Sequence, residues 1–414
     1  MSERPENIQE EHWKPLGKIS DIEMGQSPPS NYISEGLDEG LPFLQGNAEF
    51  GVMSPHPKYS CALPAKIGKA GSLLISVRAP VGAVNIADQN YCIGRGLAAI
   101  FPKRYPASFV AAAVSRRSSE LARVSQGTTF EAIGKRELNN LCVYAPDQST
   151  ASKIAEILDT LDAAIRGTEA VVAKLKAMKQ GLLHDLLTRG IDANGDLRPP
   201  QPEAPHLYKH TLLGWLPKEW EEPSLEEITA SPICYGIVQV FGYVDTGVPV
   251  LAIRDLLGDY QTGIHRTAKH IDAQYPRSRV KSGDVLLSIK GTIGRVGLVP
   301  DHFKGNISRD IGLLRPNQRV ISSYLTLLLR SALGQAMLSD AQVGTTRAEL
   351  SIGPLKKLRI PLPPLPEQSV IAKKVDSIDH RIQEEESILS KRYLLQSGLM
   401  DDLLTGRTSV TPLL

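Results

Sequence analysis

The sequence predicts an α+β chain built as an internal repeat. Two similar domains with mainly antiparallel β cores are separated by two long helices, packed as an antiparallel coiled coil with pseudo-two-fold symmetry. Three observations carry this expectation. A narrow apolar seam at alternating steps of four and three residues runs through Ile154, Leu158, Leu161, Ile165, Val172, Leu175, Leu182 and Leu186. The seam returns 217 residues later as Ile371, Val375, Ile378, Ile382, Leu389, Leu399 and Leu403. The flanks repeat as well: Gly127-Thr128-Thr129 becomes Gly344-Thr345-Thr346, and Asp185-Leu186-Leu187-Thr188 becomes Asp402-Leu403-Leu404-Thr405. Ser152, Ala155, Asp159, Asp162 and Glu169 recur in the same way, and about twenty of 64 positions agree without a gap.

A helix of about 35 residues is roughly 52 Å long and is not stable in water with its apolar stripe bare. The cheapest cover for each seam is the other copy. Antiparallel packing would place the domains that precede the two helices at opposite ends of the pair. Thr168, Glu385 and Arg392 fall on the seam, so the contact is expected to be imperfect midway.

The elements follow in order. The first domain, residues 1–149, opens near Trp13 with Leu16-Gly17-Lys18-Ile19. Lys69 to Arg78 reads as a turn feeding a β-branched, apolar strand, and Pro80 to Val84 as a turn into another. Phe109 to Arg123 is helical by composition, Gly127-Thr128-Thr129 is a loop, and Leu141 to Tyr144 a closing strand. The first long helix occupies 150–190, and 191–206 is a linker in which Asn194-Gly195, Pro199-Pro200, Pro202 and Pro205 end the helix. The second domain, 207–366, repeats the first with insertions. Trp220 answers Trp13, and Gly247 to Leu251 answers Gly40 to Leu44, both 207 further on. Ser282 to Lys290 answers the strand ending at Arg78, now 212 further on, so the insertions lie between shared elements, as loops do. The second long helix is 367–406, and 407–414 is a tail.

With 414 residues the chain is long enough for two or three domains with real cores, and its net charge of +2 places it outside the basic-tail class. Cys61, Cys92, Cys142 and Cys234 form no CxxC pair, which argues against a disulfide framework or a thiolate zinc site and fits a reducing cytoplasm. No apolar run approaches the roughly 20 residues of a membrane span, and Met1 to Glu11 lacks a signal-peptide pattern.

No catalytic constellation stands out. A GxxxxGK[ST] phosphate loop is missing, as is a glycine motif after a strand suited to a methyl donor or dinucleotide. Ser27-Pro28-Pro29-Ser30 resembles the Pro-Pro loop of amino-methyltransferases but lacks the acidic or amide residue before it and the aromatic after it. His206 with His210, and His265 with His270, have metal-like spacing without further ligands. No carboxylate pair with a lysine suggests a nuclease. The chain reads as non-catalytic, with no cofactor or metal of its own.

What remains is a binding signal. Between Arg254 and Arg319 there are twelve Lys/Arg against six Asp/Glu, an excess suited to phosphate contacts. Arg254, Lys290 and Arg309 stand out there, and Arg78, Arg95, Lys135 and Arg136 in the charge-balanced first domain. Arg95 and Arg309 sit at like places in the two copies. An arginine in such a loop can donate two bonds to guanine, while Gln45 or Asn47 suits adenine. A clamp inside each domain is the other reading of the shared arginine. The glycine-threonine loops add Thr128, Thr129, Thr345 and Thr346, with the adjoining Arg347.

At this point the whole chain resembles the specificity subunit of type I restriction-modification systems. The resemblance rests on Gly214 to Trp220, Leu186 to Asp192, Pro361 to Gln368, and the glycine-threonine element in both halves. It implies two target-recognition domains, each reading half of an asymmetric bipartite target in double-stranded DNA, with the helices as a spacer. It further implies methyltransferase (modification) subunits docked on the spacer and domains, and a motor-nuclease (restriction) subunit in the complete phage-defence enzyme. S-adenosylmethionine, ATP and Mg would then sit on those partners, all in the cytoplasm. The first copy departs from the pattern at Leu141 to Gln148, where the proline run is weak. A protein-interaction scaffold that reads no DNA is the competing class, and a cryptic single-chain methyltransferase or nuclease the third.

Overall fold

The computed structural model describes residues 12–37, 40–52, 54–125, 132–238, 244–342 and 349–413. The chain divides into two compact units, Met1–Ala170 with Glu386–Leu414, and Val171–Glu385. Each unit is built around a four-stranded antiparallel sheet. In the first, β1 (Ser20–Met24), β2 (Leu73–Ser76), β3 (Val84–Ile86) and β4 (Leu97–Pro102) lie in the order β1-β4-β2-β3. In the second, β5 (Cys234–Tyr235), β6 (Val285–Ser288), β7 (Val296–Leu298) and β8 (Ile311–Leu314) lie in the order β5-β8-β6-β7. The two orders are the same, and so is the register. Ala98 faces Met24 in one unit and Gly312 faces Tyr235 in the other, each pair leading into a glycine, Gly25 or Gly236.

A smaller sheet accompanies each. Leu41–Leu44 runs parallel to Tyr91–Ile93, pairing Leu44 with Ile93, and Val248–Leu251 runs parallel to Asn306–Ile307, pairing Leu251 with Ile307. In the main sheets the central strands Leu73–Ser76 and Val285–Ser288 are buried at every position, covered on both faces. The composition expected one helix over Phe109 to Arg123. The chain instead forms α1 (Ala107–Arg116) and then a separate helix, Ser118–Ser125.

The long helices are α2 (Gln148–Thr188) and α4 (Leu365–Leu403), with α3 (Ser322–Arg330) the second unit's counterpart of α1. The division between units falls inside both long helices, so each unit holds part of each. In the first unit Ile154 and Leu158 of α2 join Leu403 and Leu404 in one core with Phe109, Val110 and Val114 of α1, and Leu399 packs on its margin. In the second, Leu186 and Leu187 join Ile371 and Val375 in one core with Trp220, Tyr324 and Leu328, with Leu182 at the margin. Ile165, Leu175 and Ile382 are also buried, and Leu161, Ile378 and Leu389 half-buried. The seam is thus covered along both helices.

Polar contacts fix the direction. In the first unit Arg392 donates to the Ala164 carbonyl at 2.6 Å and to the Thr168 hydroxyl, while Gln396 donates to Asp162. Numbers rise along α4 as they fall along α2, so the helices are antiparallel there. Thr168 and Arg392, two of the polar residues that interrupt the seam, satisfy each other there. In the second unit Lys179 lies 2.5 Å from Asp379, again in antiparallel sense. Adding 217 to Asp162 gives Asp379, and subtracting it from Gln396 gives Lys179, so this cross-helix pair is itself repeated.

The two helices are anchored differently at their starts. Asp147 caps α2: its carboxylate accepts from Thr150 N at 3.0 Å and from the Ser149 and Thr150 hydroxyls at 2.5 and 2.7 Å. Those bonds hold its carboxyl well below the usual carboxylate range. At α4 the proline-rich motif delivers Glu367, which is buried. Its carboxylate accepts from Arg198 at 2.6 and 3.1 Å, from the Trp220 indole at 3.1 Å and from Ile191 N at 2.8 Å. Gln368 beside it accepts from Ile321 N at 2.8 Å and donates to the Arg319 and Pro363 carbonyls. Burial works against the Arg198 charge, yet the bonds and charge of Glu367 raise its pKa on balance.

Removing one partner of a buried ion pair strands the other, so Glu367→Ala is expected to destabilise the second unit by about 3–5 kcal/mol, read from urea unfolding. Asp147→Ala is expected to cost about 1 kcal/mol at neutral pH. Because the folded Asp147 pKa is depressed, its contribution is present above the unfolded carboxyl pKa of about 4 and is lost as pH falls through the folded value. The gap between Asp147→Ala and the parent protein should therefore close on acidification; a pH-independent gap would refute the capping role.

Candidate nucleic-acid interface

Each unit gathers three loops at one edge of its main sheet by the same set of bonds. At the end of β2, buried Ser76 donates to the Pro80 carbonyl at 2.6 Å and accepts from Ala83 N at 2.9 Å. At the end of β6, buried Ser288 donates to the Thr292 carbonyl at 2.6 Å and accepts from Arg295 N at 2.8 Å. Each hydroxyl closes a turn that needs a left-handed glycine, Gly82 at φ +93° and Gly294 at φ +88°. The chain leaving each strand is then held on two sides. Val77 N donates to the Gly96 carbonyl at 2.9 Å and Ile133 N to the Val77 carbonyl at 2.9 Å. In the second unit Ile289 N donates to the Asp310 carbonyl at 2.8 Å and Leu350 N to the Ile289 carbonyl at 2.9 Å. The next residue is Arg78 in one unit and Lys290 in the other.

The arginine loops are locked in parallel fashion. Gly94 N donates to the Leu44 carbonyl at 2.8 Å, and Ser308 N to the Leu251 carbonyl at 2.9 Å. Gln26 N donates to the Ile93 carbonyl at 3.0 Å, and Ile237 N to the Ile307 carbonyl at 2.9 Å. These crossings are so close that a β-carbon at Gly25 would lie 2.2 Å from the Gly94 carbonyl oxygen, and one at Gly236 1.8 Å from that of Ile307. Arg95 and Arg309 project from these loops and are exposed. The structure thus brings Arg78 and Arg95 together at one edge, and Lys290 and Arg309 at the matching edge. Gln45, also exposed, adjoins the first, since its carbonyl oxygen would be 2.5 Å from a β-carbon at Gly96.

Other candidates lie in neighbouring turns. Asn47, half-buried, begins the turn Asn47–Glu49, and exposed Arg254 lies in Ile253–Leu257, with Nε 3.4 Å from Asp255 Oδ1. Lys135 and Arg136 are exposed at the start of the short helix Lys135–Asn140. Thr128, Thr129, Thr345, Thr346 and Arg347 lie outside the described residues.

Electrostatically the two edges differ. Among the described residues, Arg78 and Arg95 have no carboxylate partner, whereas Lys290 Nζ is 3.0 Å from Glu349 Oε1 and Arg309 Nε 3.7 Å from Asp310 Oδ1. The basic run is also less available than its count suggested. Arg315 makes a two-point contact with buried Asp284 at 2.8 and 2.7 Å, Arg279 donates to buried Asp272 at 2.8 Å, and Arg319 pairs with Glu221. The bonds it donates to Asp284 hold the Arg315 pKa up. The Arg315 guanidinium is thereby built into the framework, while Arg279 and Arg319 keep about half of their side-chain surface exposed. Sequence reasoning missed Ser76, Ser288, Tyr235 and Glu349; the serines alone carried a signal, at matching places in the two strands.

Comparison with known proteins bears on this repeated frame. A family model described as type I restriction modification DNA specificity domain matches residues 10–177 and again 217–391. The chain is 28% identical over 321 residues to the type I restriction enzyme EcoBI specificity subunit of Escherichia coli, covering 70% of this chain and 66% of that protein. It is 38% identical over 174 residues to the putative type I restriction enzyme MjaX specificity subunit of Methanocaldococcus jannaschii, covering 41% of this chain and 40% of that one. The matches therefore span just under two thirds, or less, of these relatives' own lengths. In fold the chain is similar to the crystal structure of a type I restriction-modification system S subunit from M. genitalium. The TM-score is 0.57 at 15% identity, over 97% of this chain and 98% of that one. By the double match over most of its length, the chain belongs to the type I restriction-modification DNA specificity family and carries that family's domain twice.

Proposed function

We propose that this chain is the DNA specificity subunit of a type I restriction-modification enzyme, and that it performs no catalysis itself. Each target-recognition domain reads one half of an asymmetric, bipartite sequence. The long helices set the gap between halves and dock methyltransferase subunits, and a motor-nuclease subunit joins the full complex. S-adenosylmethionine, ATP and Mg belong to those partners, and the assembly works in the cytoplasm; among the described residues no helix is long and apolar enough to cross a membrane.

One observation carries this reading: the same loop-gathering edge is built twice with different side chains on it. Ser76 and Ser288, Gly82 and Gly294, and Gly25 and Gly236 hold equal backbones, while Arg78 gives way to Lys290 and Met24 to Tyr235. A common frame with unequal contents suits two readers of unequal half-sites. Cations there supply phosphate or base contacts, and an arginine fork matches guanine O6 and N7. A protein-interaction scaffold would need neither the paired arginine loops nor their exposure.

Arg309→Ala is expected to lower methylation about 5- to 100-fold through one half-site only, measured with the methyltransferase complex on duplexes varied in each half. An equal loss on all DNA would make Arg309 a phosphate contact. Deleting one heptad from both α2 and α4 should change the preferred gap and leave both half-site sequences as they were. An unchanged gap preference on variable-gap duplexes would count against the helices as a ruler. Sequencing the methylated positions in a host expressing the complex reports the target, and no bipartite motif at all would favour the scaffold.

A further inference from the structure

The reading edge of the second unit holds an open cavity of about 390 Å³ whose lining includes Tyr235, Ile289, Lys290, Arg309, Glu349 and Leu350. Carboxylates stand among its cations. Glu349 Oε1 is 3.0 Å from Lys290 Nζ, both side chains being about two-fifths exposed, and Asp310 Oδ1 is 3.7 Å from Arg309 Nε. Tyr235 is half exposed at the cavity wall. The first unit offers the same backbone with other contents. Ala132, Met24 and Arg78 stand where Glu349, Tyr235 and Lys290 stand, as the Val77 and Ile289 bonds align them. Arg95 answers Arg309. The reading-edge carboxylate at this position is a property of the second unit.

A carboxylate brought against duplex DNA is repelled by the phosphates, so phosphate binding does not account for Glu349. Its favourable partners on DNA are the exocyclic amino groups at the base edges, cytosine N4 foremost in the major groove. Lys290 at 3.0 Å offsets part of the repulsion by engaging Oε1, leaving Oε2 for a base. Arg309 in the same cavity presents the complementary chemistry, a fork of donors for guanine O6 and N7. An acceptor and a donor fork sharing one cavity match the two edges of a G·C pair.

Resting on the DNA-reading function proposed above, we propose that Glu349 is a specificity-determining residue of the second domain. It accepts from the N4 amino group of cytosine in that domain's half-site, while Arg309 takes the guanine.

The test uses the complete methyltransferase complex and a duplex library randomised at every position of both half-sites. Methylation by the parent chain, Glu349→Gln and Glu349→Ala is read by sequencing. The parent should require a G·C pair at one position of one half-site. Glu349→Ala should relax that position about tenfold or more, leaving the other half-site and the gap untouched. Glu349→Gln, close in shape and still offering an amide oxygen to cytosine N4 while Arg309 holds the guanine, should relax that position less than Glu349→Ala does. A motif unchanged position by position in both variants would overturn the proposal while leaving the DNA-reading function standing. Loss spread evenly over all sequences would also overturn it, making Lys290–Glu349 a surface ion pair only. No bipartite motif from the parent chain would sink the function and this inference with it.

Discussion

An apolar seam on helices of 41 and 39 residues has to be covered, and much of this molecule answers that demand. In the first unit the start of α2 and the end of α4 share a core with α1; in the second the end of α2 and the start of α4 share one with α3. Burial alone leaves the helices free to slide, because one leucine serves as well as another one turn away. The polar groups in the seam remove that freedom. Arg392 reaches both the Ala164 carbonyl and the Thr168 hydroxyl, and Thr168 in turn donates to Ala164 at 3.1 Å. A shift by one turn would leave a guanidinium facing apolar side chains. This is the register-fixing use of a buried polar group, gained at some cost in apolar contact.

The duplication explains why the frame is rigid while its contents vary. Bonds that hold the reading edge run from backbone to backbone, or through a single serine hydroxyl, so they tolerate any side chain that points outward. Where Gly25 and Gly236 cross the neighbouring loop most closely, glycine stands in both copies. Change is then free at Arg78 and Lys290, at Ala132 and Glu349, and at Met24 and Tyr235. The anchors at the helix starts have diverged in a different way. Asp147 serves α2 through three local bonds, whereas Glu367 serves α4 through Ile191, Arg198 and Trp220, which lie 176, 169 and 147 residues away in sequence.

That contrast also marks where sequence reasoning runs out. The seam, the repeat and the long helices were legible because they are periodic, and periodicity needs only residue types at intervals. The shared Arg95 and Arg309 were legible because two copies could be laid over each other, and the structure places both on loops locked by equivalent bonds. The motif around Glu367 was visible as a motif, but nothing local says that a carboxylate after a run of prolines will collect an arginine, an indole and a backbone amide. The same holds for the basic run. Arg309 and Arg315 are six residues apart and equally charged, yet one is exposed and the other is spent on buried Asp284.

The fate of those arginines bears on which cations of a near-neutral protein stay available at its surface. Asp272 and Asp284 are buried, and a buried carboxylate has to be paired or it raises its own cost of folding. Each therefore claims a guanidinium, Arg279 or Arg315, and converts a surface cation into framework. Counting charges along the chain adds these to the reading face; the structure subtracts them. At the edge itself Lys290 and Arg309 stand with Glu349 and Asp310 among them, so cations and carboxylates are mixed there. The first unit keeps Arg78 and Arg95 without such acceptors among the described residues. A face of cations alone holds any duplex, because every sequence has phosphates. A face that mixes signs loses some of that general attraction and gains discrimination, since its acceptors are satisfied only where a base offers an amino group.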